Sequence, residues 1–451
     1  MYDTICSIST SLGIGAISIV RISGTDAIKI VNSIFKGKDL TKVPTHTINY
    51  GYIIDGEHII DEVLVSVMLS PKTYTTEDIV EINCHGGIST TNKVLELLLT
   101  KGARLAEPGE FTKRAFLNGR IDLVEAESVS DLINSETDKS RTLSLNNLTG
   151  NITRIIDEIR NDLLSISANI EVNIDYPEYE DVKELTNKDI KPKIENIIKK
   201  LKKLLKESEN GILIKNGIDV AIVGKPNVGK SSILNTLIGN EKAIVTDIAG
   251  TTRDIVEGKI QIEGIILNLI DTAGLRNTED IVEQIGVKKS KEIIEKSDLI
   301  IVVLNNNDII SKEEIDLINS LKNKQTIIFI NKSDLDKKID INKINNNNIV
   351  YGNTKDIKNL DSLKEKIIDM FNLEKISTDN MNYLSNSRQI SLVKNSIKAL
   401  NNCLTSIENN LEIDLLAIDI KECYDLLGEI IGSTYKDELL DEIFSNFCLG
   451  K

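Results

Sequence analysis

The stretch Ile218-Asp-Val-Ala-Ile-Val-Gly-Lys-Pro-Asn-Val-Gly-Lys-Ser-Ser-Ile-Leu-Asn-Thr-Leu237 decides the fold of the middle of this chain. It begins with an apolar strand that ends at Val223, continues through a glycine-containing loop, and enters a run with helical spacing at Ser232. A strand, such a loop and a helix in this order are typical of a phosphate-binding loop. The stretch therefore predicts a nucleotide-binding domain of the α/β class.

Four residues of this loop have distinct chemical tasks. Gly224 and Gly229 carry no side chain, which lets backbone N–H groups turn inward around phosphates. Lys230 places a positive charge on the outer two phosphates, and the Ser231 hydroxyl can bind Mg²⁺. We expect this loop to bind a nucleoside triphosphate together with magnesium.

Buried strands and helices alternate from Ile218 to about Phe371. Continuous apolar runs of this length fit a parallel sheet that is covered on both faces. The predicted strands are Val220 to Val223, Ile266 to Ile270, Leu299 to Leu304, Thr326 to Ile330 and Ile349 to Tyr351.

Two further motifs lie at the ends of predicted strands of this sheet. Asp271 of Asp271-Thr-Ala-Gly274 can reach the metal through water, and the Gly274 N–H can contact the γ-phosphate. Asp334 of Asn331-Lys-Ser-Asp334 can accept two hydrogen bonds from guanine, whereas adenine lacks that pair of donors. Because charge-assisted bonds are worth about 1.5–3 kcal/mol each, we expect GTP rather than ATP.

The Thr251-Thr252 pair lies between these motifs and can supply a hydroxyl to Mg²⁺ when a mobile loop closes. Leu275 follows Gly274, at the place where many regulatory GTPases carry a water-orienting glutamine. Another polar residue must then position the attacking water. The candidates nearby are Arg276, Glu279, Asp280 and Glu283.

Length and charge bound the remaining possibilities. At about 150 residues per domain, 451 residues predict roughly three domains. The net charge of −15 disfavours tight sequence-independent binding of nucleic acid. The chain contains no apolar run of membrane-spanning length and no CxxC pair among its five cysteines, so we expect a cytoplasmic protein with reduced thiols and without stable membrane insertion.

The segments on either side of the nucleotide domain have different patterns. Residues 1–118 alternate strands and helices, including a hairpin across Asp55-Gly56, and predict an α+β domain. Residues 119–214 and 377–451 show helical spacing, and the nucleotide domain between them covers 215–376. One helical domain in two pieces is the simplest architecture, and two separate helical domains are the alternative. A lysine-rich face between Lys199 and Lys206 is either a solvated helix face or a phosphate-contacting patch.

The whole chain resembles the tRNA-modification GTPase MnmE (TrmE) family. The resemblance rests on the nucleotide motifs together with several flanking sequences. These are Val20-Arg-Ile-Ser-Gly24, Glu81-Ile-Asn-Cys-His-Gly-Gly87, Glu107-Pro-Gly-Glu-Phe-Thr-Lys-Arg-Ala-Phe-Leu-Asn-Gly-Arg120, Thr246-Asp-Ile-Ala-Gly-Thr-Thr-Arg-Asp254 and Phe447-Cys-Leu-Gly-Lys451. The resemblance implies an α+β tetrahydrofolate-binding domain, a discontinuous helical domain and an inserted Ras-like P-loop GTPase domain with a mainly parallel sheet.

The resemblance also implies roles in the GTPase domain. Glu283 matches in spacing the glutamate that orients the attacking water, Lys230 assists catalysis, and Ser231 and Thr252 bind Mg²⁺. Asn227, Thr246, Ile248 and Thr251 enclose K⁺ where two GTPase domains meet. The full set of implied GTP-binding residues is Asn227, Val228, Gly229, Lys230, Ser231, Ser232, Thr246, Asp247, Ile248, Ala249, Gly250, Thr251, Thr252, Asp271, Thr272, Ala273, Gly274, Asn331, Lys332 and Asp334.

In the first domain the resemblance implies that Arg21, Glu81, Arg120 and Lys451 bind a 5-formyl- or 5,10-methylene-tetrahydrofolate. Position 120 is commonly Lys in the family, so Arg120 keeps the charge with another geometry. Cys448 is either a nucleophile or an apolar residue packed beside Phe444 and Phe447.

The sequence departs from the family pattern at two places. Gly352-Asn353-Thr354 stands where Ser-Ala-Lys normally backs the guanine ring. The early loop has only Gly13 and Gly15 ahead of Ala16, and no folate contact is assigned to it.

The family implies a potassium-stimulated GTPase that forms a homodimer through its first domain. With MnmG, which carries FAD and uses NADH, it forms a heterotetramer and installs an aminomethyl or carboxymethylaminomethyl group on the wobble uridine of certain tRNAs. MnmG is then expected to hold most of the tRNA. The alternative is a GTPase switch in ribosome assembly, without modification chemistry.

Overall fold

The structure is a computed structural model that describes residues 3–175, 186–240, 258–271, 292–344, 346, 348–353, 360–375 and 381–450. Contacts divide the chain into two compact units. The first comprises Met1–Ile133, Asn147–Leu201 and Ser391–Lys451, and the second comprises Asn134–Asn146 and Lys202–Ile390. The predicted domain limits stay a prediction, since these units follow a different division.

The first unit contains a mostly antiparallel sheet in the order β3-β4-β5-β6-β2-β1-β7, in which β1 and β7 are parallel. Apolar side chains of one sheet face pack with α1 and α2 in a core that includes Val20, Val65 and Val94. The strands are β1 (Ile5–Ile8), β2 (Ile17–Ser23), β3 (Phe35–Lys36), β4 (Thr47–Asp55), β5 (His58–Met68), β6 (Ile79–His85) and β7 (Arg104–Leu105). The helices are α1 (Ala27–Ile34), α2 (Ile88–Thr100) and α3 (Glu110–Leu117).

The predicted hairpin in this sheet is confirmed, with its turn one residue later than expected. Strand β4 includes Asp55, and the turn is formed by Gly56 and Glu57. Gly56 has a φ of +61°, a conformation that costs glycine little, so it occupies the first turn position.

Long helices follow, as their apolar spacing predicts. Ile156, Ile159, Leu163, Ile166 and Ile170 form one fully or almost fully buried stripe. The helices are α4 (Leu123–Ile133), α5 (Asp138–Leu148), α6 (Asn151–Asp175) and α7 (Asn187–Asn216). On the lysine-rich face of α7, Lys200 pairs with Asp162 at 2.9 Å and Lys203 with Glu207 at 3.6 Å.

The second unit contains the predicted parallel sheet, in the order β13-β12-β11-β8-β10-β9, with β9 antiparallel to β10. Its strands are β8 (Ile218–Val223), β9 (Gly258–Ile262), β10 (Ile265–Asp271), β11 (Leu299–Asn305), β12 (Gln325–Asn331) and β13 (Ile349–Tyr351). Its helices include α8 (Lys230–Asn240), α9 (Lys312–Ser320) and α10 (Asp361–Phe371). The strand order changes direction at β8, which is where ligands bind at the carboxyl ends of such sheets.

The chain ends in helices α11 (Ser387–Glu408), α12 (Ile413–Ile431) and α13 (Asp437–Ser445). Helix α12 packs on α6 and ends at Ile431, and the next residue, Gly432, caps the helix with a φ of +77°. Within the described residues no helix combines the length and apolar character needed to cross a membrane.

Candidate functional site

The phosphate loop follows β8, and two glycines are required by its shape. Gly224 has a φ of +153°, and a β-carbon there would lie 2.5 Å from the Val303 carbonyl oxygen. Gly229 has a φ of +102°, and a β-carbon there would lie 2.2 Å from Nδ2 of Asn331. Both the backbone angle and the close neighbour therefore demand glycine.

Lys230 is the first residue of α8 and only 8% exposed. Its Nζ donates to the carbonyl oxygens of Gly224 at 3.0 Å and Lys225 at 2.8 Å. The charge is thus held against the loop at the N-terminus of the helix, where an anion is favoured. Ser231 is the next residue of the same helix. A lysine, a serine hydroxyl and turned backbone amides form a donor set that fits a Mg²⁺–triphosphate.

The Asn331-Lys-Ser-Asp334 motif lies beside this loop. Asn331 ends β12, and its buried Nδ2 donates to the Val228 carbonyl oxygen at 2.8 Å. Nζ of Lys332 donates to the Asn227 carbonyl oxygen at 3.3 Å. These two contacts fix the motif to the phosphate loop, and Asp334 remains exposed at the same sheet edge.

The segment that replaces the usual guanine-backing motif also reaches this edge. The Ser333 N–H donates to the Gly352 carbonyl oxygen at 3.1 Å, and the Gly352 N–H donates to the Ile330 carbonyl oxygen at 3.0 Å. Gly352 therefore lies against the Asn331-Lys-Ser-Asp334 loop through its backbone, whereas Thr354 is outside the described residues.

The Asp271-Thr-Ala-Gly274 motif is described only at its first residue. Asp271 ends β10, where its backbone lies opposite Ile222 of β8. Other predicted site residues fall outside the described ranges. The residues outside are Thr246, Asp247, Ile248, Ala249, Gly250, Thr251, Thr252, Thr272, Ala273, Gly274, Arg276, Glu279, Asp280, Glu283 and Lys451.

In the first unit, Arg21 and Glu81 meet across adjacent strands. They are opposite each other in the β2–β6 register, and Arg21 Nε lies 2.8 Å from Glu81 Oε1. The guanidinium lies 5.5 Å from the Phe111 ring centre and donates to the Gly450 carbonyl oxygen at 3.3 Å. One charged pair, an aromatic face and the C-terminal tail thus meet at one place.

Arg120 contacts another ring of the same neighbourhood. Its guanidinium lies 4.7 Å from the Tyr74 ring centre and donates to the Tyr74 carbonyl oxygen at 3.1 Å. Tyr74 packs against a small core that contains Ile5 and Phe111. Arg21 and Arg120 therefore each contact an aromatic ring of one cluster.

The tail that carries Cys448 is held by glycines. A β-carbon on Gly109 would lie 2.8 Å from the Phe444 carbonyl oxygen and 2.9 Å from the Phe447 β-carbon. A β-carbon on Gly450 would likewise lie 2.4 Å from the Ile8 carbonyl oxygen, and the Gly450 carbonyl oxygen accepts from Ser9 Oγ at 3.2 Å. Cys448 itself is exposed, which disfavours the interpretation that it is an apolar residue packed beside Phe444 and Phe447.

An ionic network around the buried Arg114 side chain also joins α3 to residues that precede β1 and β6, and sequence spacing gave no sign of it. The Arg114 side chain is 3% exposed and bonds Asp3, Glu77 and Glu110. A hydrogen bond from Arg104 lowers the pKa of Asp3 to about 2. Burial alone would raise the pKa of Glu110, but bonds from Arg104 and Arg114 leave it below its ordinary value. The network fixes the helix that carries Phe111.

The sheet and the phosphate loop after β8, together with an Asn-Lys-Ser-Asp motif at the end of β12, define a P-loop GTPase. The profile described as GTP-binding protein TrmE N-terminus matches residues 4–120, and the profile described as MnmE helical domain matches residues 123–448. The tRNA modification GTPases MnmE of Bacillus cytotoxicus and Bacillus mycoides are each 48% identical over 456 residues, with 100% of both chains covered. The chain belongs to the tRNA modification GTPase MnmE family.

Among solved structures, the G domain of the T. maritima FeoB iron transporter matches with 28% identity and a TM-score of 0.26. The match covers 34% of this chain and 98% of the FeoB G domain.

Proposed function

We propose that this GTPase binds and hydrolyses GTP to drive modification of the wobble uridine in certain tRNAs. The proposal rests on the contact between the C-terminal tail and the first domain. There, the Gly450 carbonyl oxygen accepts hydrogen bonds from both Arg21 and Ser9. A GTPase that served as a ribosome-assembly switch would have no need of a terminal cysteine held beside a charged, aromatic-lined site.

Guanine selection is assigned to Asp334, at the sheet edge beside the phosphate loop. In Asp334→Asn, Oδ1 can still accept from guanine N1–H, but the NH2 group can only donate, so it suits the 2-carbonyl of xanthine and not the guanine amino group. We expect GTP affinity to fall by at least about tenfold, the loss of one charge-assisted bond, and xanthosine triphosphate affinity to rise. Asp336→Ala, an exposed change two residues away, is the control. Unchanged GTP affinity in Asp334→Asn would remove the assignment.

Potassium is assigned to the Asn227 end of the loop, together with Thr246, Ile248 and Thr251. Asn227 has a φ of +63°, a conformation that Asn adopts more readily than most residues, and it precedes the glycine-containing turn. When bound, K⁺ would offset charge on the β- and γ-phosphates, an effect worth about 10³–10⁵ in rate where an arginine supplies it. Orientation of the attacking water is assigned to Glu283.

The potassium site is tested by comparing salts. We expect faster GTP turnover in potassium than in sodium for the wild type, and loss of that difference in Asn227→Ala. Equal wild-type rates in both salts would refute the potassium site.

A reduced folate is assigned to the first domain. Its pterin ring carries hydrogen-bond donors, which the Glu81 carboxylate can accept. Its glutamate tail carries carboxylates, which the guanidinium groups of Arg21 and Arg120, each beside an aromatic ring, can bind. Arg21 and Glu81 are 17% and 23% exposed, so a ligand can reach them. Arg120 and Lys451 would complete the set. Equilibrium dialysis with 5-formyl-tetrahydrofolate tests this assignment, with Glu81→Gln expected to bind more weakly than the wild type.

The remaining parts of the reaction come from the family. A homodimer of this chain would work in the cytoplasm with the FAD- and NADH-dependent partner MnmG, which would hold most of the tRNA, while the folate supplies the one-carbon unit. Nucleoside mass spectrometry of tRNA from cells that lack this gene tests the whole proposal. We expect the wobble uridine to lose its aminomethyl-type group, whereas a normal nucleoside profile would favour the switch.

A further inference from the structure

Asp61 and His85 form a carboxylate–histidine pair at the end of β6. Oδ1 of Asp61 lies 2.7 Å from Nδ1 of His85, and Oδ2 accepts from the His85 backbone N–H at 2.8 Å. The Asp61 side chain is 10% exposed, whereas the His85 side chain is 70% exposed. A largely buried carboxylate therefore holds a solvent-facing imidazole.

The pairing determines what each ring nitrogen can do. A carboxylate at Nδ1 favours the tautomer with its proton there, which leaves Nε2 as the nitrogen that exchanges a proton with a ligand. Because Asp61 binds both the backbone and the ring of His85, it fixes the direction of the imidazole. Stabilisation of the strand alone would not require an exposed ring, whereas proton exchange with a ligand does.

The backbone around His85 is also fixed. The Gly15 N–H donates to the Gly86 carbonyl oxygen at 2.9 Å, and a β-carbon on Gly86 would lie 2.4 Å from the Gly15 carbonyl oxygen. The early glycine-containing loop is thus in close contact with the residue after His85. This contact explains why the sequence has glycine at position 86.

The two pairs share strand β6, which carries both Glu81 and His85, whereas Arg21 lies on β2 and Asp61 on β5. In the β2–β6 register Arg21 is opposite Glu81, and Ile17 is opposite His85. Four residues along a strand span about 13 Å, and positions 81 and 85 share a face because side chains alternate. The intervening even positions, 82 and 84, are buried in the core of the unit. One elongated ligand can therefore contact both charged pairs.

We propose that Asp61 and His85 form the proton-transfer pair of the one-carbon step, with His85 as the acid and Asp61 as its positioning residue. This inference rests on the proposed folate function. The bridged methylene folate supplies its carbon when the bond from that carbon to one folate nitrogen breaks, and that nitrogen keeps the electron pair and needs a proton. His85 holds the proton at Nε2 and delivers it to that nitrogen. The positive charge moves from the imidazolium to the other folate nitrogen, and Nδ1–H stays bonded to Asp61.

Histidine-ring NMR tests the geometry independently of activity. The chain has three histidines, His46, His58 and His85, so single Gln variants assign every ring signal. We expect 5-formyl-tetrahydrofolate to shift the His85 signals and leave those of His46 unchanged, and Asp61→Asn to move the proton from Nδ1 to Nε2. If the wild type binds no folate, the proposed folate function fails. If it binds folate while the His85 signals stay unchanged, the proton-transfer pair alone is refuted.

Reconstituted tRNA modification with MnmG, GTP and 5,10-methylene-tetrahydrofolate tests the chemistry. General acid catalysis is worth about 10²–10⁴-fold, so His85→Gln should lower kcat by at least about 100-fold at an unchanged KM for the folate. Added imidazole should restore part of the rate in His85→Gly, a rescue that a purely structural role would not show. His46→Gln, an exposed histidine bonded to Thr45, is the control. A loss confined to KM, or a kcat within threefold of wild type, would overturn the proposal.

Discussion

The side chain of Asn331 lies under the phosphate loop, where its amide donates to the Val228 carbonyl oxygen. The same amide occupies the space that a β-carbon on Gly229 would need, at 2.2 Å. The Asn331-Lys-Ser-Asp334 motif and the phosphate loop are therefore packed against each other. A change at Gly229 has to displace Asn331, adopt a strained backbone, or both.

We expect Gly229→Ala to lose GTP binding while the protein stays folded. A positive φ costs a non-glycine residue roughly 1–2 kcal/mol, and the clash with Asn331 adds to this cost. Fluorescent GTP-analogue titration should show at least a tenfold weaker Kd. Gly56→Ala is the matched control, because Gly56 also has a positive φ but nothing lies within 4 Å of its β-carbon position. Wild-type affinity in Gly229→Ala would show that the loop can rearrange.

Sequence spacing identified the glycines and Lys230 because their tasks depend on the local backbone. The contact between Asn331 and Val228 joins residues 103 apart, so no local pattern contains it. The same is true of Ser9, Phe111 and Gly109 around the tail. Gly109 lies in a motif quoted for the family resemblance, but the clash with Phe444 that requires glycine there becomes visible only in three dimensions.

At the scale of elements, α5 is the part whose place differs most from expectation. Its apolar spacing predicted a member of the helical domain, yet Leu143 is fully buried in the core of the GTPase sheet. Glu136 just before the helix forms an ion pair with Lys259 of β9, and the Lys139 stem lies against Gly264 at the β9–β10 turn. Helical periodicity shows that one face is buried and not which partner covers it.

We expect Leu143→Ala to destabilise the second unit. Removing a buried leucine side chain costs about 2–5 kcal/mol, because the transfer free energy is lost and a cavity remains. Leu145→Ala on the same helix removes a side chain that is 42% exposed and should cost much less. Urea denaturation followed by circular dichroism measures both free energies of unfolding. Equal losses in the two variants would mean that α5 does not belong to this core.

At the scale of the molecule, the two ends of the chain meet in the first unit. The hydrogen bond between Ser9 and Gly450 joins residues 441 apart, and Arg21 donates to the same carbonyl. This arrangement brings Cys448 to a fixed place beside the first sheet. The tail is thus part of the first unit, although sequence places it at the far end of the chain.

Thiol accessibility checks this arrangement. All five cysteines are described, and Cys448 is exposed while Cys6, Cys84, Cys403 and Cys423 are buried. Burial also raises the pKa of Cys6, Cys403 and Cys423 to about 12, which keeps these thiols protonated. We expect Ellman's reagent to react rapidly with a single thiol in native protein, with none in Cys448→Ser, and with five in denaturant. Rapid reaction of a second thiol in the native protein would contradict this burial.

The β9–β10 hairpin joins Thr251-Thr252 and Asp271-Thr-Ala-Gly274, the two segments proposed to contact Mg²⁺ and the γ-phosphate. The Thr251-Thr252 pair precedes β9 in the sequence, and Asp271 ends β10, while paired residues from Gly258 to Leu269 join the two strands. The hairpin is one hydrogen-bonded unit, with Lys139 packed against Gly264 at its turn and Glu136 paired with Lys259 near its open end. If both segments bind the nucleotide as proposed, a displacement of either one is transmitted to the other through the same hydrogen-bonded hairpin.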